Sequence, residues 1–125
     1  MIKFTKERVL TLYKIMVDKI GGAFGIKDNA MLESALEAPY QTFGGEELFP
    51  TLIEKGARLG YGLVSNHPFI DGNKRIGLLV MLTFFEVHDI KLDFTNKEIE
   101  HIIMKIADGS YKYEDLLDII KRKLG

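Results

Sequence analysis

At 125 residues, with 46% hydrophobic and 28% charged side chains, the chain has an ordinary globular balance and suits one domain over residues 1–125. Its 17 Lys and Arg against 18 Asp and Glu leave a formal net charge of -1, without the basic excess of a nucleic-acid binder. The lack of cysteine excludes disulfides and thiolate metal sites, and no stretch approaches the roughly 20 apolar residues of a membrane span.

The N-terminal Met-Ile-Lys-Phe-Thr-Lys-Glu-Arg has no apolar signal core, so a cytoplasmic protein that avoids membranes is expected. Thr5 suits the cap of a helix whose apolar face is Val9, Leu12, Tyr13, Met16 and Ile20, stopped by Gly21 and Gly22. Residues 21–27 read as a loop. Asp28 or Asn29 caps a short helix through Met31, Leu32, Ala35 and Leu36, which Pro39 ends. Next, Gln41-Thr42-Phe43 and Glu47-Leu48-Phe49 flank Gly44 and Gly45, a pattern that suits a two-strand hairpin or a long surface loop. Thr51 and Glu54 form a capping box, and Leu52, Leu59, Leu63 and Val64 then recur at helical intervals. Residues 72–87 are apolar almost all round, which implies a central helix buried by its neighbours. Residues 90–94 are too short for more than an extended connector. Thr95 and Glu98 form a second capping box, opening a helix that Gly109 ends. The last helix carries Leu116, Leu117, Ile119, Ile120 and Leu124. Its Lys121, Arg122 and Lys123 suit the negative end of a helix dipole. Met16, Met31, Met81 and Met104 fall at apolar helical positions and read as core. With no repeat, low-complexity segment or linker, the expected fold is all-α, a compact bundle of about six helices with a small β-hairpin.

Residues 67–75 (His-Pro-Phe-Ile-Asp-Gly-Asn-Lys-Arg) concentrate the chemistry. They combine an imidazole, a carboxylate, an amide and two cations, the groups needed to deprotonate a hydroxyl, hold magnesium and grip polyphosphate. Pro68 pushes His67 towards extended geometry, so the preceding helix should end near Ser65 or Asn66. Phe69 and Ile70 should pin a tight loop onto the core. Asp71 is a good N-cap for the apolar helix that follows, which places Gly72, Asn73 and Lys74 on its first turn. Unpaired N–H groups there attract anions. Lys74 and Arg75 oppose the helix dipole at that end, and a bound polyphosphate would resolve the conflict. A capped helix start with a solvated basic pair is the plain alternative.

This segment resembles the signature of the Fic/Doc family, His-x-Phe-x-(Asp/Glu)-Gly-Asn-(Gly/Lys)-Arg, in the lysine variant typical of the death-on-curing (Doc) toxins. The resemblance extends upstream to Gly21-Gly22, Asp28, Leu32-Glu33-Ser34-Ala35-Leu36, Pro39, Phe43-Gly44-Gly45 and Leu48-Phe49-Pro50-Thr51, covering roughly residues 20–90. It implies that His67 is a general base, rather than a residue of helix-end packing alone. Asp71 would hold Mg2+, a role compatible with capping. Gly72, Asn73 and Lys74 would line an anion hole, and Arg75 would pair with a phosphate through its planar fork. It further implies that Thr42, Phe43, Gly44 and Gly45 belong to a flap that takes the target peptide as an added strand.

Two departures from the commonest Fic pattern match the Doc branch. AMP-transferring relatives carry glycine where this chain has Lys74, and a second arginine where it has Leu78. The resemblance therefore implies a toxin of a toxin–antitoxin system that moves the γ-phosphate of ATP to a hydroxyl, a threonine of a translation factor such as elongation factor Tu. AMP transfer and an inactive nucleotide-binding scaffold are the alternatives. Many relatives inhibit themselves through (Ser/Thr)-x-x-x-Glu-(Gly/Asn), which has no match here: Ser110 to Asp115 ends in aspartate and Thr42 to Glu47 in glutamate. A Phd-type antitoxin is the partner this absence suggests. His88 and His101 lie beyond the signature and read as surface or packing residues. No Walker-type run exists, and Gly21-Gly22-Ala23-Phe24-Gly25 is not a dinucleotide fingerprint.

Overall fold

Four helices begin where the sequence places a capping side chain. Thr5, Asp28, Thr51 and Thr95 accept from the N–H groups of Arg8, Met31, Glu54 and Glu98, and both Thr–Glu pairs close reciprocal capping boxes. The computed structural model describes residues 1–125. Its helices are α1 (Lys6–Ile20), α2 (Asn29–Glu37), α3 (Leu52–Asn66), α4 (Asn73–Val87), α5 (Asn96–Ala107) and α6 (Tyr113–Leu124). A 3-10 turn at Ala38–Tyr40 carries Pro39, and a hairpin of β1 (Thr42–Phe43) and β2 (Glu46–Glu47) follows it. The all-α class with one small hairpin is thus the observed fold. No helix is long and apolar enough to cross a membrane.

The core is built around α4, whose Ile76, Leu78, Val80, Met81, Phe84 and Phe85 are all buried. Its most extensive contact is with α3. Three glycines set how near these two helices come. A Cβ on Gly56 would lie 2.2 Å from the Phe85 ring, and one on Gly60 would lie 2.8 Å from Met81 Cβ. On the facing helix, a Cβ on Gly77 would meet Val64 Cγ2 at 2.5 Å and the Gly60 carbonyl oxygen at 3.3 Å. The remaining helices enclose this pair. Val9, Tyr13 and Met16 come from α1, Leu32, Ala35 and Leu36 from α2, and Leu116 and Ile120 from α6.

Two methionines depart from the sequence expectation: Met31 is 45% and Met104 64% exposed. The buried stripe of α5 is Ile102, Ile103 and Ile106, so Met104 projects from the opposite side. On α2, Met31 flanks a stripe already filled by Leu32, Ala35 and Leu36. Ile20 and Leu124 are exposed for another reason, lying at helix ends beyond the packed layers.

Gly44 and Gly45 form a two-residue turn with φ of 60° and 83°, the mirror-image geometry that matches strand twist. That turn pairs Phe43 with Glu46 and Thr42 with Glu47, so the second strand begins earlier than expected and stops before Leu48. Lys55 anchors the hairpin from α3. Its side chain is only 4% exposed, and Nζ reaches Glu47 Oε1 at 2.9 Å and the Phe49 carbonyl oxygen. Lys55→Met should therefore leave the helices folded and speed amide exchange of Leu48, whose N–H bonds to the Gln41 carbonyl. Unchanged exchange would contradict the anchor.

Gly77→Ala should lower stability by about 2 kcal/mol, as overpacking does, despite the roughly 1 kcal/mol that alanine gains over glycine in a helix. Urea midpoints would measure this, and adding Val64→Ala should recover part of the loss. A Gly77→Ala chain more stable than its parent would show that the helices are not in contact there.

Candidate active site

The loop between α3 and α4 reverses the chain within residues 67–72. His67 caps α3 at φ 52°, ψ 52°, left-handed rather than extended as its proline neighbour favours. Tertiary bonds outweigh that preference. The Pro68 carbonyl accepts the N–H groups of Lys27 and Asp28 at 2.8 and 3.0 Å, and Ile70 donates to the Gly25 carbonyl at 3.0 Å. Phe69 pairs with Ile26 in a short antiparallel bridge and is sealed into the core at 0% exposure. Such a conformation costs on the order of 1–3 kcal/mol, which these contacts offset. Ile70, expected to pin the loop with Phe69, is instead 49% exposed and lies against the backbone of Gly25.

Asp71 does not cap α4. Gly72 holds the N-cap position at φ 79°, with no side-chain cap bond. A Cβ there would also approach Met16 Cε to 2.9 Å. The Asp71 carbonyl is fixed by the Tyr13 hydroxyl at 2.8 Å, and its carboxylate turns towards the loop after α1. There Oδ2 accepts the Ala23 N–H at 3.2 Å, an approach that Gly22 permits because a Cβ at that position would lie 2.7 Å from Oδ2. Tyr13 stacks on Phe24 and lies tilted against Phe69, with ring centroids 4.8 and 4.2 Å apart.

Asn73 is one of only two buried polar or charged residues. Its Oδ1 accepts the Phe69 N–H and its Nδ2 donates to the Phe69 carbonyl, both at 2.8 Å. These bonds fix the orientation of the amide and aim its other N–H at His67 Nδ1, 3.2 Å away. The Asn73 side chain thus clamps the loop and the imidazole. The backbone N–H groups of residues 72–75 donate to no other backbone group, as a helix start requires.

His67 and residues 70–75 line one cavity of about 320 Å³. The signature residues His67, Asp71, Gly72, Asn73, Lys74 and Arg75 are therefore brought together. Thr42, Phe43, Gly44 and Gly45 form the hairpin and do not line this cavity; Phe43 is 81% exposed. Lys74 and Arg75 are exposed and form no ion pair, whereas four other lysines do. No cluster of three or more His, Cys, Asp or Glu side chains could form a metal cage. Asp71 alone offers a carboxylate, with Oδ1 outside its bond to Ala23.

Sequence reasoning missed Tyr13, Ala23 and Lys27, whose Nζ lies 3.3 Å from His67 Nδ1. Tyr13 sits in an apolar stripe that hides its hydroxyl's task, and Lys27, the one cation of the loop at residues 21–27, has no local pattern tying it to His67. Gly22 was part of the family resemblance, but the carboxylate it accommodates is 49 positions away. The other histidines pack as expected. His88 bonds the Phe84 carbonyl at 2.7 Å and accepts the Ile2 N–H at 2.8 Å. His101 meets the Tyr111 hydroxyl at 3.2 Å. The stretch from Ser110 to Asp115 is the start of α6, where Asp115 accepts the Lys112 N–H.

The family model described as the Fic/DOC family matches residues 3–85. The chain is also 32% identical over 104 residues to Toxin Doc of Mycolicibacterium smegmatis, covering 82% of this chain and 78% of that protein. With a family match across most of the chain and a relative 32% identical over 82% of it, the chain belongs to the Fic/Doc family.

Proposed function

We propose that the chain, as a single Fic/Doc domain over residues 1–125, is the toxin of a toxin–antitoxin pair. Its reaction is transfer of the γ-phosphate of ATP to a hydroxyl of a cytoplasmic translation factor, a threonine of elongation factor Tu or a similar protein. One observation carries the reading: His67, Asp71, the start of α4 and the unpaired cations Lys74 and Arg75 share a single cavity. The relative named Toxin Doc supports the biological setting.

The chemistry follows from these positions. His67 takes the proton of the target hydroxyl, whose oxygen forms a bond to the γ-phosphorus. The bond from that phosphorus to the β,γ-bridging oxygen breaks, ADP leaves, and His67 returns its proton to solvent. Arg75 grips phosphate with its fork and Lys74 offers a second cation, while the N–H groups at the start of α4 receive phosphate oxygens. A lone carboxylate with an available oxygen fits magnesium, which is typically held by one or two carboxylates and the substrate's phosphates. Asp71 would be that ligand, and the ion would neutralise charge developing on the phosphates. The hairpin supplies an edge on which a target segment can add as a strand. An antitoxin of Phd type would inhibit the chain by covering the cavity beside Lys74 and Arg75.

Lys74 is the basis for preferring phosphoryl over AMP transfer. It stands where AMP-transferring relatives have glycine, crowding their phosphate seat while placing charge beside a terminal phosphate. Label should pass to the target from ATP labelled at the γ-phosphate and not at the α-phosphate. Label from the α-phosphate would instead establish AMP transfer.

His67→Ala should reduce transfer by about 100-fold or more with little change in the thermal midpoint. Asp71→Ala should weaken magnesium-dependent nucleotide binding and alter stability little, because Asp71 caps no helix. Full activity of the His67 variant on its target would remove the general base from the mechanism.

A further inference from the structure

Lys27 has no role among the signature residues, yet its position is closely specified. Its backbone N–H donates to the Pro68 carbonyl at 2.8 Å, and the neighbouring Ile26 bridges to Phe69. From there Nζ reaches His67 Nδ1 at 3.3 Å. Asn73 offers an N–H to the same nitrogen at 3.2 Å, with its amide orientation locked by both bonds to Phe69. Two donors on one nitrogen make Nδ1 the acceptor, so the neutral ring carries its proton on Nε2. The ring's one basic lone pair is then the one that Lys27 and Asn73 share.

Exchange to the other tautomer would turn an N–H of the ring against Lys27 and Asn73 alike. Lys27 forms no ion pair, and although it does not itself line the cavity, its Nζ lies 3.3 Å from the ring of His67, which lines it together with Lys74, Arg75 and the one carboxylate, Asp71. Phosphates seated between these groups offer Nζ a partner stronger than a neutral ring nitrogen.

The geometry points to Lys27 as a further phosphate-binding residue of this site, whose Nζ passes from His67 to the phosphates of the donor nucleotide. The inference rests on the nucleotide-transfer reading above.

The test uses the whole chain with magnesium and the β,γ-imido analogue of ATP. Nitrogen NMR of His67 should show Nδ1 unprotonated before nucleotide is added, with its resonance shifting on addition. In Lys27→Met that resonance should be displaced before addition, and nucleotide affinity should fall about tenfold, while Lys27→Arg retains most of it. Arg75→Met should weaken binding independently and so report that nucleotide occupies this cavity. If Arg75→Met weakens binding but Lys27→Met does not, or if Lys27→Met leaves the His67 resonance unmoved, the inference is overturned. If neither substitution affects affinity, nucleotide lies elsewhere, and the proposed function falls with it.

Discussion

The close approach of α3 and α4 is the constraint on which the site depends. Where Gly56, Gly60 and Gly77 bring the two helices together, there is no space for a Cβ without displacing Phe85, Met81 or Val64. The helix ends are consequently held close, and residues 67–72 must join them by a tight reversal. Such a reversal puts an imidazole at the end of one helix and a carboxylate with free N–H groups at the start of the next. The chemical neighbourhood is thus a product of helix packing, to which local preferences yield. His67 is left-handed despite the proline that follows it, and Asp71 is drawn away from the cap position it would otherwise suit.

Three buried or half-buried groups convert that reversal into a defined geometry. Phe69 fills the core beneath the loop, Asn73 bonds both backbone groups of Phe69, and Tyr13 holds the Asp71 carbonyl from α1. The Asn73 and Tyr13 side chains satisfy polar atoms that would be costly to leave unpaired in an apolar setting. The asparagine of the signature is therefore most informative as a clamp. Its side chain fixes the loop and offers an N–H to the histidine ring, with Lys74 and Arg75 exposed beside it.

Legibility in the sequence followed the range of the interactions. Helix starts at Thr5, Asp28, Thr51 and Thr95 were readable because a cap is decided within three residues. The central position of α4 was readable from its nearly continuous apolar surface. Met31 and Met104 misled because residue type at a helical position does not say which side faces the core. The Asp71 cap misled because the competing bond comes from Ala23, far away in the chain. Among site residues, those contiguous in residues 67–75 could be named from the signature. Tyr13 and Lys27 could not, since their parts depend on a loop bridge between Ile26 and Phe69 that no local pattern announces.

The central claim is that this cavity delivers a terminal phosphate to a protein hydroxyl. Incubating the chain with magnesium-ATP and a bacterial extract, then identifying the modified protein by intact mass and peptide sequencing, tests it most directly. The account predicts a mass gain of one phosphate on a single hydroxyl residue of a translation factor, absent with His67→Ala. A gain of one adenylate, or a modification that persists with His67→Ala, would contradict it.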